Sequence, residues 1–344
     1  RERLNEPDNL TMMAYETSAK FSVPNYLIQD QNGRSTVSSE GCVFSPKESE
    51  FDMVRGPIIG TVIVNLPRAA YEASGRDEKL FQNVQAAAEE AAEALALRSA
   101  AVKDRIKEGL LPLLAWETDG TAYYAPRTAS AEVGLLGLSE AVKHHVHADL
   151  GEKDSVGFAK KMIEAVRKSV GESEPEGLRV RVGLHPSRNA SSRLAEIDAE
   201  TFGFSTIKYQ GLKKYPFYTD VPAVPPTQRM PFGVRAELEA EFQKLFDGGS
   251  ILPLRLGPET KASDLSSATR QLGKAGLRYF TYGAPQYRCQ QCFNVGTGAT
   301  SKCGKCSSDR LTFLGRLGGR LTPIDLWPEA RRKALDQMAI HDLP

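Results

Sequence analysis

The chain has 344 residues, of which 41% are hydrophobic, with 44 lysines and arginines set against 43 aspartates and glutamates. That length supports a sizeable core, in one large domain or two modest ones, and the composition excludes global disorder. The balanced charge supplies no field to draw in DNA, RNA or an anionic membrane.

No apolar run is long enough for a bilayer span and no signal-peptide pattern stands at the N-terminus, so a cytoplasmic protein is expected. The chain opens at Arg1 with no initiator Met, as expected of a processed product or a piece of something longer. Residues 1 to about 50 read as loop, with Pro24, Gly33 and a polar stretch from Gln29 to Glu40. Within it stands a solitary thiol, Cys42, after Gly41. By composition alone it is a loop thiol or a buried one. The apolar run from Pro57 to Pro67 predicts a strand buried on both faces, ending at Asn65. Asp77 to about Leu110 is rich in Ala, Glu and Leu at helical spacing, which predicts a long helix on the outside of the fold. A strand at 131–137 leads into a helix through Ser139 and Glu140 to about Val146, and a further helix covers about 155–170. A strand at 178–184, a turn, and a helix from Ser192 to Phe202 follow. Later come helices at 233–247 and about 263–275, with strands at 250–256 and 277–282. Strands alternating with helices argue for a parallel α/β sheet or barrel.

Four of the five cysteines are Cys289-x2-Cys292 and Cys303-x2-Cys306. Thiolates at i and i+3 in a turn bind one ion, and a ten-residue excursion brings the second pair round to complete a tetrahedron. Without a secretory signal, such pairs read as zinc ligands in a reducing compartment rather than as disulfides. A cage of four cysteines leaves no open coordination position, so the zinc is structural. Free thiols are the bland alternative. Beyond the cage, Arg316-Leu-Gly-Gly-Arg320 places a glycine pair among strand-like residues.

Gly41-Cys42 and Val62-Ile-Val-Asn65-Leu-Pro-Arg68 resemble the core signature of the anaerobic (class III) ribonucleotide reductases, a glycyl-radical family. The same order continues. Gly137-Leu-Ser-Glu140 resembles its Gly-Leu-Asn-Glu, Ser192 to Asp198 resembles its Arg-Phe-Ala-x-x-Asp helix, and Tyr218-Thr-Asp220 stands near its Tyr-Thr-Asn. The knuckle then precedes Arg316 to Pro323 and Trp327, similar to the Arg-x-x-Gly-Tyr-x-x-Pro…Trp tail that carries the radical. The resemblance covers the C-terminal half of such chains. It implies half of a ten-stranded α/β barrel with a Cys finger loop over 1–282, the zinc knuckle at 283–312, and a radical loop and tail at 313–344.

The function implied is anaerobic reduction of ribonucleotides to deoxyribonucleotides. A Gly319 radical, installed by an iron–sulfur S-adenosylmethionine activase, would generate a Cys42 thiyl that abstracts the ribose 3′-hydrogen. Asn65 would hydrogen-bond the ribose hydroxyls, or merely cap a strand end. Glu40 would relay a proton, or be a solvated carboxylate. The turn from His185 to Ser192 resembles the family's phosphate loop, with Ser187, Asn189, Ala190 and Ser191 as candidates; helix N-capping is the alternative. Partners implied are a ribonucleoside di- or triphosphate, the activase, a complementary N-terminal half and a second copy of the complete enzyme. The reductant is left open between formate and a thioredoxin-like protein. Arg320 stands where the family has Tyr, and Val43 where it has Arg. An inactive paralogue, a zinc-knuckle interaction protein, and a glycyl-radical enzyme with a non-nucleotide substrate are the rival readings. His144, His145 and His147 read as a solvated helix end, and Lys213-Lys214 and Arg331 to Lys333 as solvated faces.

Overall fold

The computed structural model describes residues 7–28, 36–37, 43–44, 58–118, 120–124, 129–175, 177–187, 189–247, 250–298, 300–341 and 343–344. Cys42 and Glu40 lie outside the described residues.

Among the described residues the main elements are two α/β layers and a four-stranded antiparallel sheet, beside three two-stranded ribbons. Helix α1 (Asn9–Phe21) and strand β1 (Asn25–Leu27) come first. Strand β2 (Ile58–Asn65) runs directly into α2 (Leu66–Ala73), because Asn65 caps that helix and Pro67 occupies its first turn. The 31-residue helix α3 (Asp77–Lys107) follows, with Asp77 and Glu78 in its first turn and Arg105 and Lys107 in its last, as the helix dipole favours. Its buried stripe of Leu80, Val84, Ala88, Ala91, Ala92 and Leu95 is the face the 3.6-residue period predicts. Strand β3 (Ser130–Leu136), helices α4 (Leu138–Val146) and α5 (Lys153–Glu172), strand β4 (Arg179–Leu184) and helix α6 (Asn189–Phe202) complete this layer.

Strands β2, β3 and β4 form a parallel sheet with β3 central. Every residue of β3 is buried, as a parallel strand covered on both faces requires. The register pairs Asn65 with Leu136 and Leu135 with Leu184, so the carboxyl ends of all three strands reach one rim. Ligand sites of open α/β sheets gather at such rims.

The second layer contains α7 (Phe232–Gln243), β5 (Leu252–Arg255), α8 (Ala262–Ala275) and β6 (Tyr279–Gly283). Here β6 runs parallel to β5 and antiparallel to β1. Among the described residues the two three-stranded sheets are not hydrogen-bonded to each other. The third sheet is antiparallel, in the order β8 (Val295–Thr297), β7 (Gln286–Cys289), β9 (Leu311–Leu317), β10 (Arg320–Pro323). Helix α9 (Glu329–Lys333) lies in the tail. No helix among the described residues is long and apolar enough to cross a membrane.

Three expectations are corrected. The first 50 residues are not all loop: α1 is capped by Asp8, whose carboxylate accepts from the Thr11 amide at 2.8 Å, and it lies against α8 with Tyr15 buried. The histidine run is not solvated throughout. His145 bonds Asp77 at 2.7 Å and stacks on Phe158, while His144 meets Tyr71 edge-on at 4.7 Å. Burial lowers the His144 pKa. Arg331 is not on a solvated face: it is buried, its guanidinium 4.1 Å from the Phe217 ring centre and 2.6 Å from Asp220.

Candidate active site at the strand ends and the glycine hairpin

The motifs that lie far apart in sequence meet at the rim of the parallel sheet. Asp198, on α6, is fully buried and is the hub. Its carboxylate accepts from Asn65 Nδ2 at 2.9 Å, from the Arg68 guanidinium at 2.8 Å through Nε, and from the Tyr218 hydroxyl at 2.8 Å. Burial, and then the neighbouring Tyr71 and Asp198, push the Tyr218 phenol strongly up, so it stays neutral and donates. Asn65 also accepts from the Arg68 amide at 3.4 Å. Its side chain therefore caps α2 and braces Asp198 at once.

A second knot joins Gly137-Leu-Ser-Glu140 to Tyr218-Thr-Asp220. Gly137 has φ +73, and a Cβ there would lie 2.3 Å from Pro67 Cγ, so only glycine lets the start of α4 approach the β2–α2 junction. Its amide donates to the Thr219 carbonyl at 2.8 Å. Glu140 is buried and accepts from Thr219 Oγ1 at 2.7 Å, the Thr219 amide at 3.2 Å and Gln210 Nε2 at 2.8 Å. Burial raises its pKa against the pull of those donors.

The strand-to-helix turn after β4 carries the candidate phosphate residues. Asp220 already occupies part of it: its Oδ2 accepts from the Ser187 amide at 3.0 Å, and its Oδ1 from the Val221 amide and Arg331 Nη2. The Ala190 amide donates to the Ser187 carbonyl at 2.9 Å, as in the first turn of a helix. Ser191 is buried, with its hydroxyl 3.5 Å from Arg331 Nη2, while Asn189 is exposed. The Ser187 and Ser192 hydroxyls are buried with no hydrogen-bond partner among the described residues. His185 Nδ1 lies 2.9 Å from the buried Glu132 carboxylate.

Against this turn lies the hairpin of β9 and β10. Leu317 pairs with Arg320, leaving Gly318-Gly319 as a two-residue loop with Gly318 at φ +60. A Cβ on Gly318 would lie 2.8 Å from Pro186 Cγ, so glycine permits the hairpin tip to touch the candidate phosphate turn. Both glycines are buried. The Gly319 carbonyl accepts from Arg316 Nη1 at 2.8 Å and Asn25 Nδ2 at 3.0 Å. A cavity of about 110 Å³ lies behind the hairpin, lined in part by Gly318, Trp327, Arg255 and Met338.

The four cysteines converge at the other end of the same sheet. Their sulfurs all lie within 4.8 Å of one another, with Cys289–Cys306 and Cys292–Cys303 at 3.6 Å. A tetrahedral thiolate site with bonds of about 2.3 Å needs sulfurs about 3.8 Å apart, so the set fits such an ion. The two turns are alike: Phe293 and Ser307, each following the second cysteine, have φ 60 and 58. In each, an amide two residues on points at the first sulfur at 3.4 Å, from Gln291 to Cys289 and from Lys305 to Cys303. Amide donors, chiefly of Cys292 and Gln291, pull the Cys289 thiol down to about 6, and those of Cys306 and Lys305 lower Cys303. Both shifts favour the thiolate, the form that ligates metal.

The sequence model of the anaerobic ribonucleoside-triphosphate reductase family matches residues 2–339. The chain belongs to that family. The anaerobic ribonucleoside-triphosphate reductases of Escherichia coli (strain K12) and Salmonella typhimurium (strain LT2) are each 24% identical to it over 356 residues. Each match takes in 93% of this chain and 48% of the relative, so the chain spans about half the length of the curated relatives it matches. Among solved structures, an anaerobic ribonucleotide reductase superposes with TM-score 0.79 at 19% identity, over 98% of this chain and 52% of its own. That of Thermotoga maritima with glycerol in its active site does so with TM-score 0.75 at 20% identity, over 94% and 51%. At these identities the likeness establishes a shared α/β fold.

Asn25, Asp220 and Arg331 escaped the sequence reading as functional residues. Nothing near Asn25 marks it. Arg331 was hidden in a basic run, and only the third residue of Tyr218-Thr-Asp220 hinted at the carboxylate in the turn.

Proposed function

We propose that this chain is the radical-bearing C-terminal portion of an oxygen-sensitive ribonucleoside di- or triphosphate reductase. One observation carries the reading: the Gly318-Gly319 hairpin is lodged against Pro186, on the turn that Asp220 joins to the strand-end network. A hydrogen-bonded backbone glycine, a polar strand-to-helix turn and the family's motifs then share one rim. The family's substrate class agrees, and a solved Thermotoga maritima relative is described as a complex with dATP and CTP.

In this reading a radical held on the Gly319 Cα passes to the Cys42 sulfur by exchange of one hydrogen atom. The Cys42 thiyl takes the ribose 3′-hydrogen, and the 2′-hydroxyl leaves as water after protonation, with Glu40 as the proton relay. Two electrons come from formate, which leaves as carbon dioxide and gives one proton, or from a thioredoxin-like dithiol, which closes to a disulfide and gives two. Solvent supplies the second proton in the formate case, and Cys42 returns its hydrogen to the ribose C3′. Asn65 holds the ribose hydroxyls, and Ser187, Asn189, Ala190 and Ser191 the phosphates, with Asp220 yielding amide donors to the incoming anion. Zinc in the four-cysteine cage is structural and anchors the sheet whose far end is the glycine hairpin. An iron–sulfur S-adenosylmethionine activase installs the radical. A complementary N-terminal portion completes the ten-stranded barrel, of which residues 1–282 are one half, and the complete enzyme is a cytoplasmic homodimer. Residues 283–312 are the knuckle, and 313–344 the radical loop and tail.

The reading is tested by anaerobic activation of the enzyme reconstituted from both portions. Gly319→Ala is expected to abolish both the glycine-centred doublet in electron paramagnetic resonance and deoxynucleotide formation. Cys42→Ala is expected to keep the doublet and lose turnover. Turnover by either variant sinks the assignment.

A further inference from the structure

The Gly319 carbonyl has an unusual pair of donors. Arg316 Nη1 and Asn25 Nδ2 both point at it, at 2.8 and 3.0 Å, and Arg316 Nη1 also donates to Asn25 Oδ1. The two side chains therefore form a closed triangle on one oxygen. The remaining guanidinium nitrogens, Nε and Nη2, both donate to the Ser22 carbonyl, at 2.9 Å for Nε. Asn25 Nδ2 is held in turn by the Tyr279 hydroxyl at 3.1 Å. Among the described residues every hydrogen-bond partner of Arg316 is a neutral oxygen. A half-buried cation without a carboxylate is costly, and burial pushes its pKa down to about 10. A neutral side chain would fill the same space at less cost, so the positive charge calls for a reason.

The chemistry of a backbone radical supplies one. An unpaired electron on a glycine Cα is delocalised only while both flanking peptide groups stay coplanar with it, the amide side giving electron density and the carbonyl side accepting it. Donors on the carbonyl oxygen strengthen that acceptance, and a charged donor does so more than a neutral one. Two donors from different directions also fix the rotation of the peptide plane. The geometry points to Arg316 and Asn25 as positioning residues that stabilise the Gly319 radical through its carbonyl oxygen. This inference rests on Gly319 being the radical site. It adds to that reading a means by which the chain sets how long the radical survives and how readily it passes to a thiol.

The test uses the complete reconstituted enzyme, activated anaerobically, with the doublet's α-proton splitting, its decay half-life and the thermal midpoint measured together. In the wild type activated in D2O, electron–nuclear double resonance is expected to resolve, besides the deuterons of the backbone amides, further exchangeable deuterons coupled to the glycine radical, those that Arg316 Nη1 and Asn25 Nδ2 donate to the Gly319 carbonyl. This arm needs no variant to fold. Asn25→Leu and Arg316→Met are each expected to widen the splitting and shorten the half-life about tenfold, the scale of one hydrogen bond to a charged or polarised group. Arg316→Lys, which keeps the charge but loses the fork, is expected to recover part of both. Variants that melt earlier but keep the wild-type splitting and half-life would overturn the clamp, as would a wild-type radical whose exchangeable couplings are those of the backbone amides alone. A wild type that gives no glycine doublet instead overturns the radical-site reading, and the clamp with it.

Discussion

Asp198 shows how one residue can organise a rim. Its two oxygens serve a strand end through Asn65, a helix through Arg68 and a loop through Tyr218, and it has no exposed surface. Asp198→Asn keeps the shape but leaves Arg68 without its counter-charge and presents an amide donor to Asn65. Because Arg68 is partly exposed and can rehydrate, the expected loss is about 2 kcal/mol, read as a lower urea midpoint at unchanged slope. The sequence did show which residue types would gather here, since each stands in a short motif. It did not show that Asn65 would spend both ends of its amide on protein partners, because a side chain's partners depend on folding contacts more than 100 residues away. Arg316 was legible only as part of a glycine turn, for its partners Ser22 and Asn25 are more than 290 positions distant.

At the scale of elements, the antiparallel sheet is a lever with the cysteine cage at one end and the glycine hairpin at the other. β7 carries Cys289 and pairs with β9, and β9 pairs with β10 across Gly318-Gly319. The cage core is only Tyr287, Cys289 and Cys303 with a few neighbours, too little to hold its turns without an ion. Metal binding can supply on the order of 10 kcal/mol to such a module. In zinc-loaded protein, stripping the ion with a chelator, or replacing Cys303 by Ser, should raise hydrogen exchange across 286–323 and cut the yield of the proposed glycine doublet. The parallel strands β2 to β4 should stay protected, and equal protection of the hairpin before and after stripping would show the lever to be rigid without metal. The cysteines were legible because their chemistry is local, set by spacing alone. Helix α1 was not: among its residues only Tyr15 and Ser18 are buried, so its apolar stripe is too thin to register before α8 supplies the surface it packs on.

Across the whole molecule, α7 is the wall that the two layers share. Leu238 and Phe242 face the core of the parallel sheet, while Phe232, Ala236 and Ala240 face the core around β5 and β6. Glu239 lies in that wall, fully buried, accepting from the Val224 amide at 2.8 Å and the Ala223 amide at 3.2 Å. Burial outweighs the nearby Arg235 and those amides and pushes its pKa up to about 7, from 4.5 when free. The folded chain therefore keeps a proton that the unfolded chain releases between those values. Its contribution is complete below pH 4.5 and is lost as pH rises through about 7, at a cost of ~3 kcal/mol. Urea midpoints across that window should fall in the wild type, and Glu239→Gln should flatten the decline. The contact of Ser22 and Asn25 with the hairpin has a consequence for biosynthesis. It joins residues up to 294 positions apart, so Ser22 and Asn25 must wait while all of those positions are synthesised before they find their mates. Such a distant closure is among the slowest to form. The Gly319 carbonyl is consequently seated late, and a prematurely terminated product lacks the cradle proposed to hold the radical.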